Sequence, residues 1–177
     1  MFMVRKNKHI LDLELRNKIF CMVTKYAGCH LRDLERKSGI AYSTLKYHLH
    51  YLTKHDLIIE QKVSGNSQYY PKTIEYSDIK ILSLLRQKNI RRIIVLLISE
   101  NTCSLHGFES YVKLGQSTIL WYLDKLIKNS IVEKIRRGKN TFYKLKYDRN
   151  KIIKLLISYQ KSFLDNLVDK TIEMWEV

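Results

Sequence analysis

The chain contains one pattern twice. Residues from Arg16 to Lys72 align with residues from Ile90 to Lys146, 74 positions later, and the alignment needs no gap. The pairs that are identical at this offset include Ile19/Ile93, Cys29/Cys103, Leu31/Leu105, Glu35/Glu109, Ser43/Ser117, Thr44/Thr118, Leu49/Leu123, Leu52/Leu126, Lys54/Lys128, Asn66/Asn140 and Tyr69/Tyr143. A repeat of this length indicates one supersecondary unit that is used twice.

Each copy has the same order of predicted elements: helix, short helix, turn, longer helix, β-hairpin. The longer helices are predicted at 42–55 and 116–129, where leucines spaced by four and three residues form one apolar stripe. β-rich runs follow, and they are interrupted by Ser64-Gly65-Asn66 in the first copy and Gly138-Lys139-Asn140 in the second. Gly and Asn tolerate positive φ angles, so these breaks predict hairpin turns.

The turn and the longer helix of the first copy carry a family resemblance. Gly39-Ile40-Ala41-Tyr42-Ser43-Thr44-Leu45-Lys46-Tyr47-His48-Leu49-His50-Tyr51-Leu52, followed by Asp56-Leu57-Ile58, resembles the helix-turn-helix core of winged-helix regulators. The chain is similar to archaeal tandem winged-helix proteins related to the arsenic-repressor-like and multiple-antibiotic-resistance-like regulators. The resemblance implies that the longer helix enters the major groove of DNA and that the hairpin wing contacts the backbone or the minor groove. The second copy departs from the motif, because Lys113 replaces the turn glycine and no His precedes its leucine.

The expected fold is mainly α with small β-hairpin wings (α+β). Two tandem winged helix-turn-helix modules are expected at 10–75 and 77–147, and the second begins with a linker helix at 79–87 that Ser77 and Asp78 could cap. The residues at 150–177 read as a long amphipathic helix, which we interpret as a dimerisation helix; the alternative is that it packs on its own chain.

The formal charge of +15 at pH 7 makes an anionic partner the first hypothesis. No acidic residue lies between Lys37 and Lys54. With the leucines buried, the opposite face of this helix presents hydrogen-bonding side chains, and lysine can donate to guanine acceptors. The candidate DNA-binding residues of the first copy are Tyr42, Ser43, Lys46, Tyr47 and His50 on the helix, with Lys62 and Asn66 on the wing.

In the second copy the wing is the stronger candidate. The stretch from Lys134 to Lys146 has no acidic residue, and a basic wing tip could enter a narrow minor groove. Its helix carries Leu120, Trp121 and Asp124, which suit a packed interface better than a phosphate backbone. The candidate DNA-binding residues of this copy are Gln116, Ser117, Arg136, Arg137 and Lys139.

Other chemistry finds little support in the sequence. The three cysteines fit a reducing cytosol, and Cys29 and Cys103, at equivalent positions, read as buried packing residues. The histidines between 48 and 55 lack the spacing of a metal pair, so no metal or other cofactor is expected. No phosphate loop or catalytic grouping is apparent, so an enzyme is not expected. The start of the chain lacks the order of a secretory signal. No uncharged run approaches the roughly 20 residues that span a bilayer, so no membrane segment is expected.

The sequence thus favours a cytoplasmic, nucleoid-associated transcriptional regulator that binds specific sites in double-stranded DNA, possible partners being a second copy and the basal transcription machinery. One alternative is a winged-helix protein-interaction subunit of a transcription or replication complex, with only nonspecific DNA binding. A second alternative, binding to anionic membrane surfaces through basic charge, is less favoured.

Overall fold

A computed structural model describes residues 13–63, 65–160 and 163. These residues form eight α-helices and two small antiparallel sheets, so the predicted α+β class is correct and the architecture is consistent with a winged-helix fold. They divide into two compact units, one up to Ser83 and one from Leu84 onward. No helix within the described ranges is both long and apolar enough to cross a membrane.

The first unit alternates short helices and strands. Its elements are α1 (Glu14–Lys25), β1 (Cys29–His30), α2 (Leu31–Ser38), α3 (Tyr42–Lys54), β2 (Ile58–Val63) and β3 (Asn66–Pro71). The strands form a sheet in the order β1-β3-β2. The helix α4 (Tyr76–Leu85) follows, and the boundary between the units falls within it.

The second unit repeats this order. Its elements are α5 (Lys88–Glu100), β4 (Thr102–Ser104), α6 (Leu105–Val112), α7 (Gln116–Lys128), β5 (Val132–Arg137), β6 (Asn140–Leu145) and α8 (Arg149–Ser158). The bounds of α6, α7, β5 and β6 each lie 74 residues after those of their counterparts. Strand register repeats as well: Tyr69 pairs with Cys29 and Glu60, and Tyr143 pairs with Cys103 and Lys134.

The strands β1 and β4 are absent from the sequence prediction, which treats Cys29-His30 and Cys103-Ser104 only as the approach to a helix. Each pairs with the second strand of its hairpin and so makes a third strand of the sheet. A strand of two or three residues is too short to show an alternating pattern, which is why the sequence does not reveal it.

The core of the first unit lies between the helices and one face of the sheet. It consists of Ile19, Val23, Cys29, Leu31, Leu34, Leu45, Leu49, Leu52, Leu57, Ile58 and Tyr69. The predicted leucine stripe of α3 is fully buried in it, and Ile119, Leu123 and Leu126 of α7 are fully buried in the second unit. The equivalent cysteines Cys29 and Cys103 are also buried, as predicted.

The turn between the short and the longer helix has the same backbone conformation in both units. Gly39 ends α2 with φ of 68°, and Lys113 ends α6 with φ of 58°, both in the left-handed region. The backbone N–H of each residue donates to a carbonyl four residues earlier, at Glu35 and Glu109 respectively. The missing glycine in the second copy therefore does not change the geometry of the turn; Lys113 accepts the strain instead.

Two helices differ from their predicted bounds. The linker helix begins at Tyr76, because the carbonyl oxygen of Glu75 already accepts hydrogen bonds from the N–H groups of Asp78 and Ile79. Ser77 and Asp78 therefore lie in its first turn instead of before it. Of the predicted helix at 150–177, α8 covers the start, and Asp148 caps it through a hydrogen bond from the N–H of Lys151. Residues 161–162 and 164–177 lie outside the described residues.

The left-handed turn positions give a reciprocal test of stability. A Cβ at position 39 would have no neighbour within 4 Å, so Gly39→Ala should cost only backbone strain, about 1–2 kcal/mol of unfolding free energy. Lys113→Gly should remove such strain and raise the unfolding free energy by up to about 1 kcal/mol. Urea unfolding measures both, and a Lys113→Gly variant less stable than the parent would contradict the prediction.

Candidate nucleic-acid interface

The longer helix of the first unit, α3, has one fully buried face and one face exposed to solvent. Tyr42, Ser43, Lys46, Tyr47 and His50 are all exposed, and Tyr47 is exposed to 62%. The leucine stripe on the other side holds this rotation fixed, because turning the helix would bring leucines into water. The five helical residues named by the sequence thus lie on one solvent-facing surface, as their spacing predicts.

A groove lies between this helix and the wing. It has a volume of about 340 Å³. We call it the helix–wing groove and define it by Arg32, Tyr42, Lys46, Glu60, Asn66 and Ser67. It brings together side chains from four elements: α2, α3, β2 and β3. Lys62, also exposed, pairs across the hairpin with Ser67.

Arg32 is a groove residue that the sequence analysis misses. It lies in the first turn of α2, it is exposed, and its guanidinium carbon is 5.3 Å from the centre of the Tyr42 ring. The sequence holds a weak signal for it, namely a basic residue near the start of the helix before the turn. Only the packing of α2 against α3 places that residue beside the predicted reading face.

Among the described residues that line the helix–wing groove, Glu60 is the acidic one. Glu60 accepts a hydrogen bond from the hydroxyl of Ser67 on the paired strand. Burial, with Glu60 as the next contributor, raises the pKa of Tyr69 to about 12. The groove is therefore not uniformly positive: Arg32 and Lys46 face it from the helices, and Glu60 faces it from the wing.

The start of each longer helix is tied to the helix before it through an equivalent glutamate. In the first unit a carboxylate oxygen of Glu35 accepts from the backbone N–H of Tyr42 at 3.1 Å. In the second unit the carboxylate of Glu109 accepts from the side-chain amide of Gln116 at 3.3 Å. Glu35 and Glu109 are identical in the repeat, and this identity marks the position in the sequence. The contact that each glutamate makes depends on how the short helix and the longer helix of its unit are packed, which the sequence does not show. One hydrogen of the Gln116 side-chain amide is therefore already bonded to Glu109.

The second wing has the exposed cations predicted for it. Arg136, Arg137 and Lys139 are exposed around Gly138, whose φ is 60°. Arg137 has its guanidinium carbon 5.6 Å from the ring centre of Phe142, so its charged group lies beside an aromatic ring of the same hairpin. These three residues form the exposed tip of the hairpin.

The body of that hairpin contains an ion pair. The ammonium nitrogen of Lys144 lies 2.8 Å from a carboxylate oxygen of Glu133, directly across the strands. The hydrogen bond from Lys144 is the main cause that lowers the pKa of Glu133. Lys144 is therefore neutralised, although the stretch from Lys134 to Lys146 contains no acid.

The longer helix of the second unit exposes apolar side chains. Trp121 is 57% exposed and Leu120 is 37% exposed, so within the described residues Trp121 lies outside the core, and the packed interface expected for this helix stays a prediction. Lys125 lies 5.3 Å from the Trp121 ring and its ammonium donates to the side chain of Gln87. Gln116, Ser117 and Asp124 are exposed beside them.

Equivalent positions of the two units carry side chains that differ in charge or polarity. At the same place on the longer helix, Lys46 corresponds to Leu120 and His50 to Asp124. On the wing the order reverses, because Glu60 corresponds to Lys134. The first unit therefore has its positive charge on the helix, and the second has it on the wing.

Two buried groups bear on other possible functions. His48 is 5% exposed, and none of the described residues forms a hydrogen bond with its Nδ1 atom. Burial, followed by the charge of Arg16, lowers the pKa of His48. Burial also raises the pKa of the Cys103 thiol to about 11, which keeps it protonated and a poor nucleophile at neutral pH. Among the described residues, no three His, Cys, Asp or Glu side chains come together as metal ligands.

Comparisons with known proteins point to the same region. Residues 13–82, which include α1 through β3, match the family model HTH_HVO_0163_N, described as an N-terminal HTH domain. The chain is 27% identical over 134 residues to a Methanocaldococcus jannaschii protein named "Uncharacterized HTH-type transcriptional regulator MJ1398". The match covers 76% of this chain and 34% of that protein, so the chain spans about a third of the relative's length.

Among solved structures, reduced HlyU from Vibrio cholerae N16961 is 21% identical, with coverage of 47% of this chain and 88% of HlyU and a TM-score of 0.42. Rv0081 of M. tuberculosis is also 21% identical, with coverage of 56% and 93% and a TM-score of 0.41. Both TM-scores are too low to support an inference about this chain.

The buried imidazole of His48 predicts an acid-dependent loss of stability. Its folded pKa is lowered below 6.5, so the unfolded chain binds the extra proton more readily, and the unfolding free energy falls as pH drops through 6.5 toward the folded pKa. Urea unfolding at about pH 7.5 and about pH 5.5 should show this loss in the parent and a smaller one in His48→Phe. His50→Gln, at an exposed position, is the control and should keep the parental loss. Equal losses in the parent and His48→Phe would refute the assignment.

Proposed function

We propose that this chain is a transcriptional regulator that binds specific sites in double-stranded DNA through two winged-helix modules in tandem. The observation that carries the proposal is the exposed surface of α3, which has no acidic residue. This surface lies beside a groove whose other walls are formed by Arg32 and the wing. The match of residues 13–82 to an HTH domain supports it independently. The modules correspond to 10–75 and 77–147.

The reading element is α3. This helix of 13 residues is about 20 Å long, and its diameter of about 10–12 Å matches the major groove, which is about 12 Å wide. Lys46 donates to the O6 and N7 acceptors of guanine, while Tyr42, Ser43, Tyr47 and His50 offer further hydrogen bonds or contacts with the thymine methyl group. The wing adds Asn66 at its tip and Lys62 along β2.

Phosphate contacts set the register of α3 on the duplex. Arg32 lines the helix–wing groove, and Lys62 is exposed on β2 opposite the groove residue Ser67, so both can neutralise phosphates. Glu60 opposes phosphate in that groove. It therefore favours an approach in which the backbone passes outside the helix–wing groove and the base edges face α3.

The second module contributes affinity more than base recognition. Arg136, Arg137 and Lys139 at its wing tip bind phosphate or enter a narrow minor groove. Gln116 and Ser117, at the start of α7, remain candidate base contacts. Their contribution is limited, because Glu109 accepts a hydrogen bond from the Gln116 amide and Asp124 repels phosphate. This division extends the footprint without requiring two equal reading helices.

A homodimer through 150–177, contact with the basal transcription machinery and a cytoplasmic, nucleoid-associated location belong to the same proposal. Dimers place two reading helices on one duplex and make the site symmetric or repeated.

A second candidate function rests on Leu120 and Trp121. Exposed aromatic and aliphatic side chains on one helix face are typical of protein interfaces. In this reading the chain is an interaction subunit of a transcription or replication complex and its DNA binding is nonspecific. A stoichiometric protein partner that no longer binds Trp121→Ala, together with equal affinity for all duplexes, would favour it over the regulator.

Lys46 tests sequence reading. On a duplex selected from a random library, Lys46→Ala should lose about 1–3 kcal/mol of binding free energy, while its affinity for unrelated duplexes should change little. Lys80→Ala, at an exposed position of α4, is the control. Fluorescence anisotropy measures both affinities. If Lys46→Ala weakened every duplex equally, α3 would not be the base-reading element.

The second wing tests backbone binding. Arg136→Ala combined with Arg137→Ala should weaken all duplexes alike and should lower the slope of log K against log salt by about 0.9 for each phosphate that the variant no longer neutralises. Lys154→Ala, exposed on α8, should leave the slope unchanged. A salt titration of the double variant that matched the parent would show that this wing does not bind phosphate.

A further inference from the structure

The first unit has a second groove that shares no residue with the helix–wing groove. It lies along α1 and the end of α2 and has a volume of about 330 Å³. Three exposed lysines, Lys18, Lys25 and Lys37, line it, and none of the described residues that line it is acidic. We call it the lysine groove.

Apolar and aromatic atoms lie among these cations. The Nζ atoms of Lys37 and Lys25 are 4.3 Å and 5.3 Å from the centre of the Tyr26 ring. Half-buried Met22 and exposed Cys21 complete this side of the groove. The combination suits an occupant that carries both negative charge and apolar side chains, because a simple anion would leave the Tyr26 and Met22 surface unused.

The second unit has a different cation at the same place. There, Arg92 stands at the position of Lys18, and its guanidinium donates to the backbone carbonyls of Val112 at 2.8 Å and Tyr111 at 2.6 Å. Those two carbonyls end α6, so the arginine satisfies acceptors that a helix C-terminus leaves free. The first unit has a lysine at this position, and a groove remains open beside the end of α2.

The chain itself contains an acidic and apolar segment that matches this groove. Residues 164–177, which lie outside the described residues, carry Asp165, Asp169, Glu173 and Glu176 against the single base Lys170. This net charge of −3 stands out in a chain of +15. Its apolar residues are Leu164, Leu167, Val168, Ile172, Met174, Trp175 and Val177.

We propose that the lysine groove is a docking site for the segment 164–177 of a second copy of this chain. The carboxylates pair with the three lysines, and the apolar side chains contact Tyr26 and Met22. The acidic residues recur at intervals of three and four, a spacing that places them on one side of any helix that the segment forms on docking. Association is therefore sensitive to salt, since exposed ion pairs supply much of its free energy.

Direct binding is tested with the full chain. The receptor is the variant D165N/D169N/E173Q/E176Q, which cannot compete with its own segment, and the probe is a fluorescein-labelled peptide of residues 164–177. Anisotropy should show binding that weakens about twofold to fivefold for each of Lys18→Gln, Lys25→Gln and Lys37→Gln. A peptide with the same four neutral substitutions should not bind. Retained binding in the triple lysine variant would overturn the proposal.

Lys18→Arg separates the groove from diffuse positive charge. The longer guanidinium should reach the carbonyls that end α2, as Arg92 does in the second unit, and close the groove while the charge stays constant. Peptide affinity should fall in this variant, with the circular dichroism spectrum unchanged and the melting temperature no lower than that of the parent. Affinity equal to that of the parent would show that the groove is not the site.

Nucleic acid is the competing occupant. Lys37→Gln should weaken the peptide and leave DNA affinity unchanged, whereas Lys62→Gln on the wing should do the reverse. If Lys37→Gln instead weakened only DNA, the lysine groove would be part of the DNA surface and the docking proposal would fail. The proposed regulator function would survive that result, because it is judged by Lys46 and duplex selection.

Self-association provides the final test. Sedimentation velocity of the unsubstituted chain should show a dimer that dissociates as salt is raised, and the variant with the neutralised segment should be shifted toward monomer. Identical sedimentation of the two chains at every salt concentration would overturn the proposal.

Discussion

The burial of one stripe of apolar side chains determines which face of the longer helix each unit exposes to a partner. Leu45, Leu49 and Leu52 have no exposed surface, and they hold α3 against the other helices and the sheet. Burying such side chains is favourable by about 1.5–3 kcal/mol each, so the helix cannot rotate without losing several kcal/mol. Every residue on the opposite face is then committed to solvent. The candidate reading surface is thus a consequence of how the core packs.

The two units show that one backbone can present different chemistry. Their helices, strands and turns coincide at a constant offset, and even the strained position at Lys113 keeps the conformation that Gly39 adopts without strain. Side chains on this common scaffold have diverged in charge: the positive helix of the first unit corresponds to the apolar helix of the second. Function in such a protein resides in surface side chains grafted on a shared core.

The short helix of each unit, α2 in the first and α6 in the second, shows the same difference between the units at single side chains. Arg92 satisfies the last carbonyls of α6, while the first unit has Lys18 and an open groove at that place. Glu35 and Glu109, in contrast, are the same residue in both units and perform related tasks at the start of the longer helix. At this end of the unit the glutamate is the same in both copies, and the basic residue is not.

The sequence by itself determined the repeat, the helices, the hairpins and the buried stripe, because periodic burial leaves a periodic pattern along the chain. It also identified which residues of α3 face solvent. It could not reveal β1 and β4, since strands of two or three residues carry no period, nor the approach of Arg32 and Glu60 to the reading face. Those features depend on contacts between residues far apart in the chain. Likewise, only the tertiary structure showed that Trp121 is exposed, that Lys144 is paired with Glu133, and that Lys18, Lys25 and Lys37 line one groove.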